Sequence, residues 1–143
     1  MPKRRSRHEE ERKQGNRIMD ETLIARLDSL GYSYNSETDS WLLTFCKESV
    51  ESRIKNRIND SSIPDQLQEI EVDMICGEFL MAKKSTNQLN GYDFERIVQS
   101  IREGDTQVTF QSGSTPEQQF DSLIGNMIHG HDEDLIRFRK LVW

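Results

Sequence analysis

Histidine, cysteine and glycine are too scarce or too scattered in this 143-residue chain to build the commonest catalytic sites. None of the three histidines lies between His8 and His129, which excludes the Glu-x-x-His pattern of di-metal helical bundles. The eight glycines are scattered, which excludes a glycine-rich phosphate-binding loop. No serine or cysteine has a recognisable catalytic partner. The sequence therefore predicts a protein that is not an enzyme and has no catalytic residues, metal or cofactor.

One short string resembles a metal site, and two cysteines also need an explanation. Residues 129–134 contain His129, His131, Asp132 and Asp134. Their spacing matches no known metal site, and polar residues are expected in a loop after a helix. Cys46 and Cys76 lie in apolar-patterned stretches, so we expect them to be buried as small hydrophobic residues.

Long hydrophobic runs are missing too. Only 34% of the residues are hydrophobic, and no run approaches the ~20 residues that a membrane span needs. The basic residues Lys3, Arg4 and Arg5 are followed by more charge and not by the apolar segment of a signal peptide. These features predict a cytosolic, reducing origin and no membrane partner.

The net charge of −6 is distributed unevenly. Residues 1–17 carry +4 and residues 135–143 carry +3, so the part between them carries −13. Nucleic-acid-binding domains collect Lys and Arg on one face, which is not this layout. Residues 1–17 are predicted to be a charged arm, either mobile or a frayed helix extension, that is solvated or contacts phosphate.

Helical periodicity predicts a mainly α protein, a small bundle of about four helices. The predicted helices cover residues 20–30, 39–58, 65–84 and 115–129. The apolar stripe of the second helix is predicted to consist of Trp41, Leu42, Phe45, Cys46, Val50, Ile54 and Ile58. The predicted organisation is a charged N-terminal arm at 1–17, a helical domain at 18–134 and a C-terminal tail at 135–143.

In two segments the spacing of apolar residues does not decide between a helix and extended structure. Over 95–111, β-branched residues on both sides of a turn at 103–105 predict a β-hairpin. A helix over 92–102 is the competing interpretation, because Phe94, Ile97, Val98 and Ile101 also fit a period of 3.6. The last nine residues alternate imperfectly and are predicted to be extended.

The third helix carries more apolar surface than a helix with one buried face needs. At ~100° per residue, Leu67, Ile70, Met74 and Met81 form one seam, and Val72, Ile75, Phe79 and Ala82 form a second. Two interpretations remain open. Both seams pack inside one subunit, or part of the second seam meets a neighbouring copy. The predicted subunit interface consists of Glu71, Val72, Ile75, Glu78 and Phe79.

Several elements in order resemble one family. They are Ile54–Asn59 ahead of Ile63-Pro64, Met74–Leu80, Lys83-Lys84, "REGDTQVTF" and the closing "FRKLVW". In order and spacing they resemble the head–tail connector proteins of tailed bacteriophages, also called adaptor or head-completion proteins and often labelled DNA-packaging proteins. The resemblance covers roughly residues 41–143 of the chain. It includes no catalytic signature, and the Arg-rich arm departs from it.

The resemblance implies a structural virion protein that forms a ring of about twelve copies beneath the portal. The ring would extend the DNA channel, which double-stranded DNA passes without sequence-specific binding, and join the head to the tail. The implied partners are further copies, the portal protein and a tail-side stopper or tail-completion protein. The implied location is the head–tail interface of the virion, after assembly in the bacterial host cytoplasm. The portal-binding segment maps onto Leu135, Ile136, Arg137, Phe138, Arg139, Lys140, Leu141, Val142 and Trp143.

A hypothesis of another class is a small helical DNA-binding regulator. It would use the basic N-terminal arm at Lys3–Arg7 to contact phosphate. Salt-dependent binding of short duplex DNA, lost on deletion of residues 1–17, distinguishes it from the connector hypothesis.

Overall fold

The computed structural model describes residues 6–86, 88–89, 92–104, 110 and 112–141, and this part of the chain is mainly helical with no strand. The helices are α1 (Arg7–Ser29), α2 (Ser40–Ile58), α3 (Gln68–Ser85), α4 (Phe94–Gly104), α5 (Pro116–His129) and α6 (Asp132–Arg137), and a 3₁₀ turn (Asp65–Leu67) precedes α3. The predicted mainly α bundle is confirmed. None of these helices combines the length and the apolar composition that crossing a membrane requires.

The third helix lies at the centre of the bundle. It contacts α1, α2 and α5, while α4 packs on α5 and α6 packs on α2. Gly77 lets α5 approach α3 closely, because a Cβ at this position would lie 2.9 Å from Cγ1 of Ile128 and 3.1 Å from Cβ of Met127. A helix surrounded on three sides needs apolar residues around most of its circumference. This explains why α3 has two seams.

Local capping signals in the sequence fix where helices begin and end. Thr115 Oγ1 accepts a hydrogen bond from Gln118 N at 3.2 Å, and Gln118 Oε1 accepts one from Thr115 N at 3.0 Å. This capping box, with Pro116 in the first turn, starts α5. Helix α2 ends at Asn59, whose left-handed backbone (φ 54°, ψ 48°) stops the helix.

The prediction of a strand in the first arm of the β-hairpin at 95–111 is wrong, because residues 94–104 form α4. Ile97, Val98 and Ile101 are all buried, at 2%, 4% and 4% exposure. A strand would turn the consecutive residues Ile97 and Val98 to opposite faces, whereas a helix buries both against α5. Residues 105–109 and 111, which include the rest of the hairpin, lie outside the described residues.

Of the two predictions for the charged arm at 1–17, the helix extension holds for its described residues from Arg7 onward. Helix α1 begins at Arg7, where Ser6 caps it and accepts a hydrogen bond from Glu9 N at 3.3 Å. The charged residues 7–17 therefore extend α1, which crosses the predicted boundary at 17/18.

The prediction that the tail is extended from Leu135 is also wrong, because α6 covers Asp132–Arg137. Asp132, Glu133 and Asp134 occupy the first turn of α6, where the helix dipole favours acidic residues. The spacing of Leu135 and Phe138 brings both onto the core, which the alternating pattern did not predict.

Candidate functional site

Among the described residues, Trp41 near the start of α2 is the most exposed large apolar side chain, and Phe45 follows it by one helical turn. Trp41 is 76% exposed and Phe45 is 56% exposed. Their rings stack with centroids 5.9 Å apart and an interplanar angle of 14°. We call these two side chains the aromatic pair.

The aromatic pair lies on the side of α2 that faces away from the core. Helix α2 buries one face, formed by Leu43, Cys46, Val50, Ile54 and Ile58. At ~100° per residue, Trp41 and Phe45 point about 180° from the centre of that face. The prediction that they belong to the core stripe is therefore wrong. On a helix with one buried face, these positions are normally polar.

Two carboxylates accompany the aromatic pair. Glu48 follows Phe45 by three residues on α2 and so shares its face. Glu37 lies in the turn that leads into α2. Both are exposed, and no ion pair joins either to another described residue. An aromatic centre with a charged rim is typical of the residues that contribute most to binding at protein interfaces.

A buried polar network fixes the first turn of α2, directly before Trp41. Asp39, which is 2% exposed, accepts hydrogen bonds from Tyr32 Oη at 2.7 Å and from Asn35 N at 3.0 Å. Lys83 Nζ, on the last turn of α3, lies 2.5 Å from Asp39 Oδ1 and also donates to Gln88 Oε1 at 2.7 Å. The network therefore joins the start of α2 to the end of α3.

The network shifts the pKa values of Asp39 and Tyr32. Burial alone would raise the pKa of Asp39, but hydrogen bonds from Lys83, Asn35 and Tyr32 outweigh it and hold the pKa below its usual value. Burial and the bond to Asp39 raise the pKa of Tyr32. Tyr32 also stacks on Tyr92 at 5.6 Å and meets Phe79 edge-on at 5.2 Å. The aromatic pair thus stands on a rigid base.

The predicted subunit interface on α3 lies inside a single chain. Val72, Ile75 and Phe79 are 7%, 0% and 0% exposed, so they have almost no surface to offer to another copy. Glu78 Oε1 forms an ion pair with Arg53 Nη1 of the same chain, at 2.8 Å. Burial, and after it the charge of a nearby glutamate, raises the pKa of half-buried Glu71. The assignment of these apolar residues to an interface is corrected, since α3 is a central helix and its own chain covers Val72, Ile75 and Phe79. On the first seam, Met81 stays 38% exposed.

The predicted portal-binding segment divides into an anchored part and an exposed part. Leu135 is 2% exposed and Phe138 packs on the core. Lys140 N donates to Ile58 O at 2.8 Å, and Asn59 Nδ2 donates to Lys140 O at 3.0 Å. These bonds fasten the segment to the end of α2.

The exposed residues of the segment lie on both sides of this anchor. Lys140 Nζ also pairs with Asp60 Oδ2 at 3.1 Å, and the pKa of Asp60 is lowered mainly by that bond. Leu141 is 73% exposed, and Ile136 is 49% exposed on α6. Val142 and Trp143 lie outside the described residues. Binding of a portal by this segment stays a prediction.

The metal-like string does not form a cluster. His131 Nε2 lies 3.9 Å from Asp73 Oδ2, and its Nδ1 lies 4.0 Å from Asp134 Oδ2. Within the ranges that the structure describes, no group of three or more His, Cys, Asp or Glu side chains is arranged to hold a metal ion. An open groove of about 650 Å³ beside α1 and α3 is lined mainly by polar side chains, with Arg26 and Asp73 paired across it at 3.6 Å.

The arrangement is suited to binding other proteins through surfaces. It offers an aromatic pair on a rigid base and, at the far end of α2, an anchored segment with an exposed end. Sequence reasoning missed the aromatic pair, although its helical angle relative to Leu43, Val50 and Ile54 carried the signal. Comparison of the chain with protein-family models, with curated proteins and with solved structures finds no match.

Proposed function

We propose that this protein is a structural virion protein that forms a ring beneath the portal of a tailed bacteriophage and joins the head to the tail-side components. The observation that carries the proposal is the aromatic pair, Trp41 and Phe45, exposed opposite the core. Large aromatic side chains bury 150–250 Å² each when covered, so leaving two of them in water is unfavourable unless a partner covers them.

The C-terminal segment supports the proposed binding to the portal protein. The bonds of Lys140 to Ile58 and Asn59 hold the chain at the end of α2 and leave Leu141 exposed. An exposed apolar residue next to a fixed anchor is suited to insertion into a groove or addition to a sheet edge of another protein. The end that binds the portal is thereby separated from the aromatic pair by the length of α2.

The negative charge of residues 18–134 supports the proposed role of the ring as a channel for DNA. Residues 18–134 carry −13, and carboxylates repel the phosphate backbone that Lys or Arg would hold. DNA passes such a channel without being bound. A lumen lined mainly by Lys and Arg in the assembled ring would contradict this part of the proposal.

The test is co-assembly with the portal protein of the same phage. Replacing residues 141–143 by three serines leaves Leu135, Phe138 and the Lys140 bonds in place, whereas deletion from Leu135 would also remove a core residue. We expect the replaced variant to lose portal binding in a pull-down and to keep the thermal unfolding midpoint of the unchanged chain. Ser122→Lys, an exposed change on α5, serves as the control and should bind normally. Portal binding by the replaced variant would show that residues 141–143 are not needed for docking and would reject the proposed docking segment.

The DNA-binding regulator is the second candidate, and the exposed helical arm is the observation that favours it. Between Arg7 and Arg17, however, three consecutive glutamates, Glu9, Glu10 and Glu11, lie among four cations, so the described arm has no purely basic face. Tight binding of short duplex DNA with a steep salt dependence, abolished by deleting residues 1–17, would establish this function and reject the connector proposal.

A further inference from the structure

Four exposed side chains form a row along the outer face of α2 and the turn before it. They are Glu37, Trp41, Phe45 and Glu48, and we call them the α2 stripe. Asp39 N donates to Asn35 O at 2.8 Å and Leu43 N donates to Asp39 O at 2.9 Å, so the helical path already begins in that turn. At ~100° per residue, the four side chains fall within about 80° of one another, and the aromatic pair forms the middle of the row.

The two carboxylates of the α2 stripe bracket the aromatic pair. Along the helix axis, Glu37 lies about 6 Å before Trp41, and Glu48 lies about 4.5 Å beyond Phe45. The two rings are nearly parallel, with an interplanar angle of 14°, so they offer a flat face and not a cage. A partner that covers this face therefore also comes close to both carboxylates.

The four cations of α2 are engaged with other acids. Their ion pairs are Lys47 with Asp20 at 2.5 Å, Arg53 with Glu78 at 2.8 Å, Lys55 with Glu51 at 2.7 Å and Arg57 with Asp132 at 3.7 Å. Lys47 directly precedes Glu48 in the chain but points about 100° away from it around the helix. No ion pair joins Glu37 or Glu48 to another residue that the structure describes, so the α2 stripe carries two uncompensated negative charges.

These charges restrict the chemistry of the group that can cover the aromatic pair. A purely apolar surface would take water away from the two carboxylates without neutralising them, which is unfavourable. A phosphate backbone would be repelled. An arginine side chain meets both requirements, because its planar guanidinium stacks on an aromatic ring and also donates to a carboxylate. A lysine ammonium pairs with a carboxylate but has no flat surface to stack.

We propose that the α2 stripe binds an arginine-bearing segment of a separate protein, with guanidinium groups stacked on the aromatic pair and paired with Glu37 and Glu48. The assignment rests on the proposed function, in which this protein is a tail-side component, because the portal-binding segment is anchored at the other end of α2. Complementary charge then selects the partner, and the stacked rings favour arginine over lysine.

The first test titrates the chain with three synthetic peptides that differ in one type of side chain. Each is acetyl-(Gly-X)₃-amide, where X is arginine, lysine or citrulline, which keeps the planar shape of arginine without its charge. The chain carries Trp143→Phe, so that Trp41 gives the only indole N–H signal in NMR spectra. We expect the arginine peptide to shift this signal and to bind about threefold more tightly than the lysine peptide and at least tenfold more tightly than the citrulline peptide. Equal affinity for the arginine and lysine peptides, or no shift with any peptide, would overturn the inference.

Matched variants separate the α2 stripe from the general acidity of the chain. Glu37→Gln with Glu48→Gln should weaken binding of the arginine peptide at least fivefold. Glu95→Gln with Glu133→Gln removes the same charge at two exposed positions elsewhere and should change the affinity less than twofold. Phe45→Ser keeps every charge and should abolish the preference for arginine over lysine. Equal weakening by both glutamine pairs, or a preference that survives Phe45→Ser, would contradict the proposed site.

The inference and the proposed function fail separately. Normal portal binding without an arginine preference would reject the arginine site and leave the connector proposal standing. An arginine preference without portal binding would reject the connector proposal and leave the site standing. Native mass spectrometry of the chain alone tests for the other occupant. Self-association that Glu37→Gln with Glu48→Gln abolishes would show that a second copy fills the α2 stripe, and the assignment to a separate protein would be wrong.

Discussion

Replacing Lys83 by methionine tests the buried network that supports the aromatic pair. The substitution keeps a long apolar side chain and removes the ammonium group that lies 2.5 Å from Asp39 Oδ1. Asp39, at 2% exposure, is then a buried carboxylate that keeps hydrogen bonds from Tyr32 Oη and Asn35 N and a longer one, 3.4 Å, from Thr38 Oγ1.

The expected loss of stability is large for a single substitution. Removing one partner of a buried ion pair costs about 3–5 kcal/mol, and the three remaining donors place Lys83→Met near the lower end. For a chain of this size, about 3 kcal/mol corresponds to a midpoint roughly 6–12 °C lower. The double variant Lys83→Met with Asp39→Asn should lose less than the single variant, because the amide carries no charge and still accepts the hydrogen bond from Tyr32.

The assay is urea unfolding followed by circular dichroism at pH 7 and at about pH 2. Because folding lowers the pKa of Asp39 below its usual value of 3.8, the carboxylate adds stability above that value and loses it as the pH falls through the folded-state pKa. The difference between the unchanged chain and Lys83→Met should therefore shrink in acid. A loss below about 1 kcal/mol at pH 7, or a difference that grows in acid, would refute the role of the network.

The remaining predictions concern packing. Phe79→Ala should cost about 3–5 kcal/mol, whereas Trp41→Ala should change monomer stability by less than ~0.5 kcal/mol; equal losses in urea unfolding would contradict the assigned burial. Gly77→Ala should destabilise by about 1–3 kcal/mol despite its better helix propensity, because the added Cβ meets α5; a gain in the midpoint would show that the helices shift freely. Cys46 and Cys76 are buried, and burial raises the pKa of their thiols to about 11 and about 12. Neither should react with a thiol reagent at pH 8 without urea, and prompt reaction of the folded chain would contradict this.

The sequence predicted the helices whose apolar periodicity is long and whose ends carry capping residues. Pro116 and Thr115 placed the start of α5, and the two seams identified α3 as unusual. What the pattern did not determine was the partner of the second seam. Periodicity shows that Val72, Ile75 and Phe79 share a face, but only the packed bundle shows that the rest of the chain covers it.

The errors have related physical causes. Trp41 and Phe45 are apolar and near helical spacing from Cys46, so composition alone assigned them to the core although their angle opposes it. Residues 94–104 fit both a strand and a helix over a short window, and burial against α5 decided for the helix. The exposed large apolar side chains of the described residues include Trp41 and Phe45 on α2 and Met81 on α3, whereas Val72, Ile75 and Phe79 are buried.

The central claim is that a partner in the assembled particle covers the aromatic pair. Hydroxyl-radical footprinting with mass spectrometry measures the solvent exposure of Trp41 and Phe45 directly, in free protein and in the portal-bound assembly. We expect both side chains to be labelled strongly in the free chain and to be protected at least several-fold in the assembly. Unchanged labelling of Trp41 in the assembled particle would contradict the account.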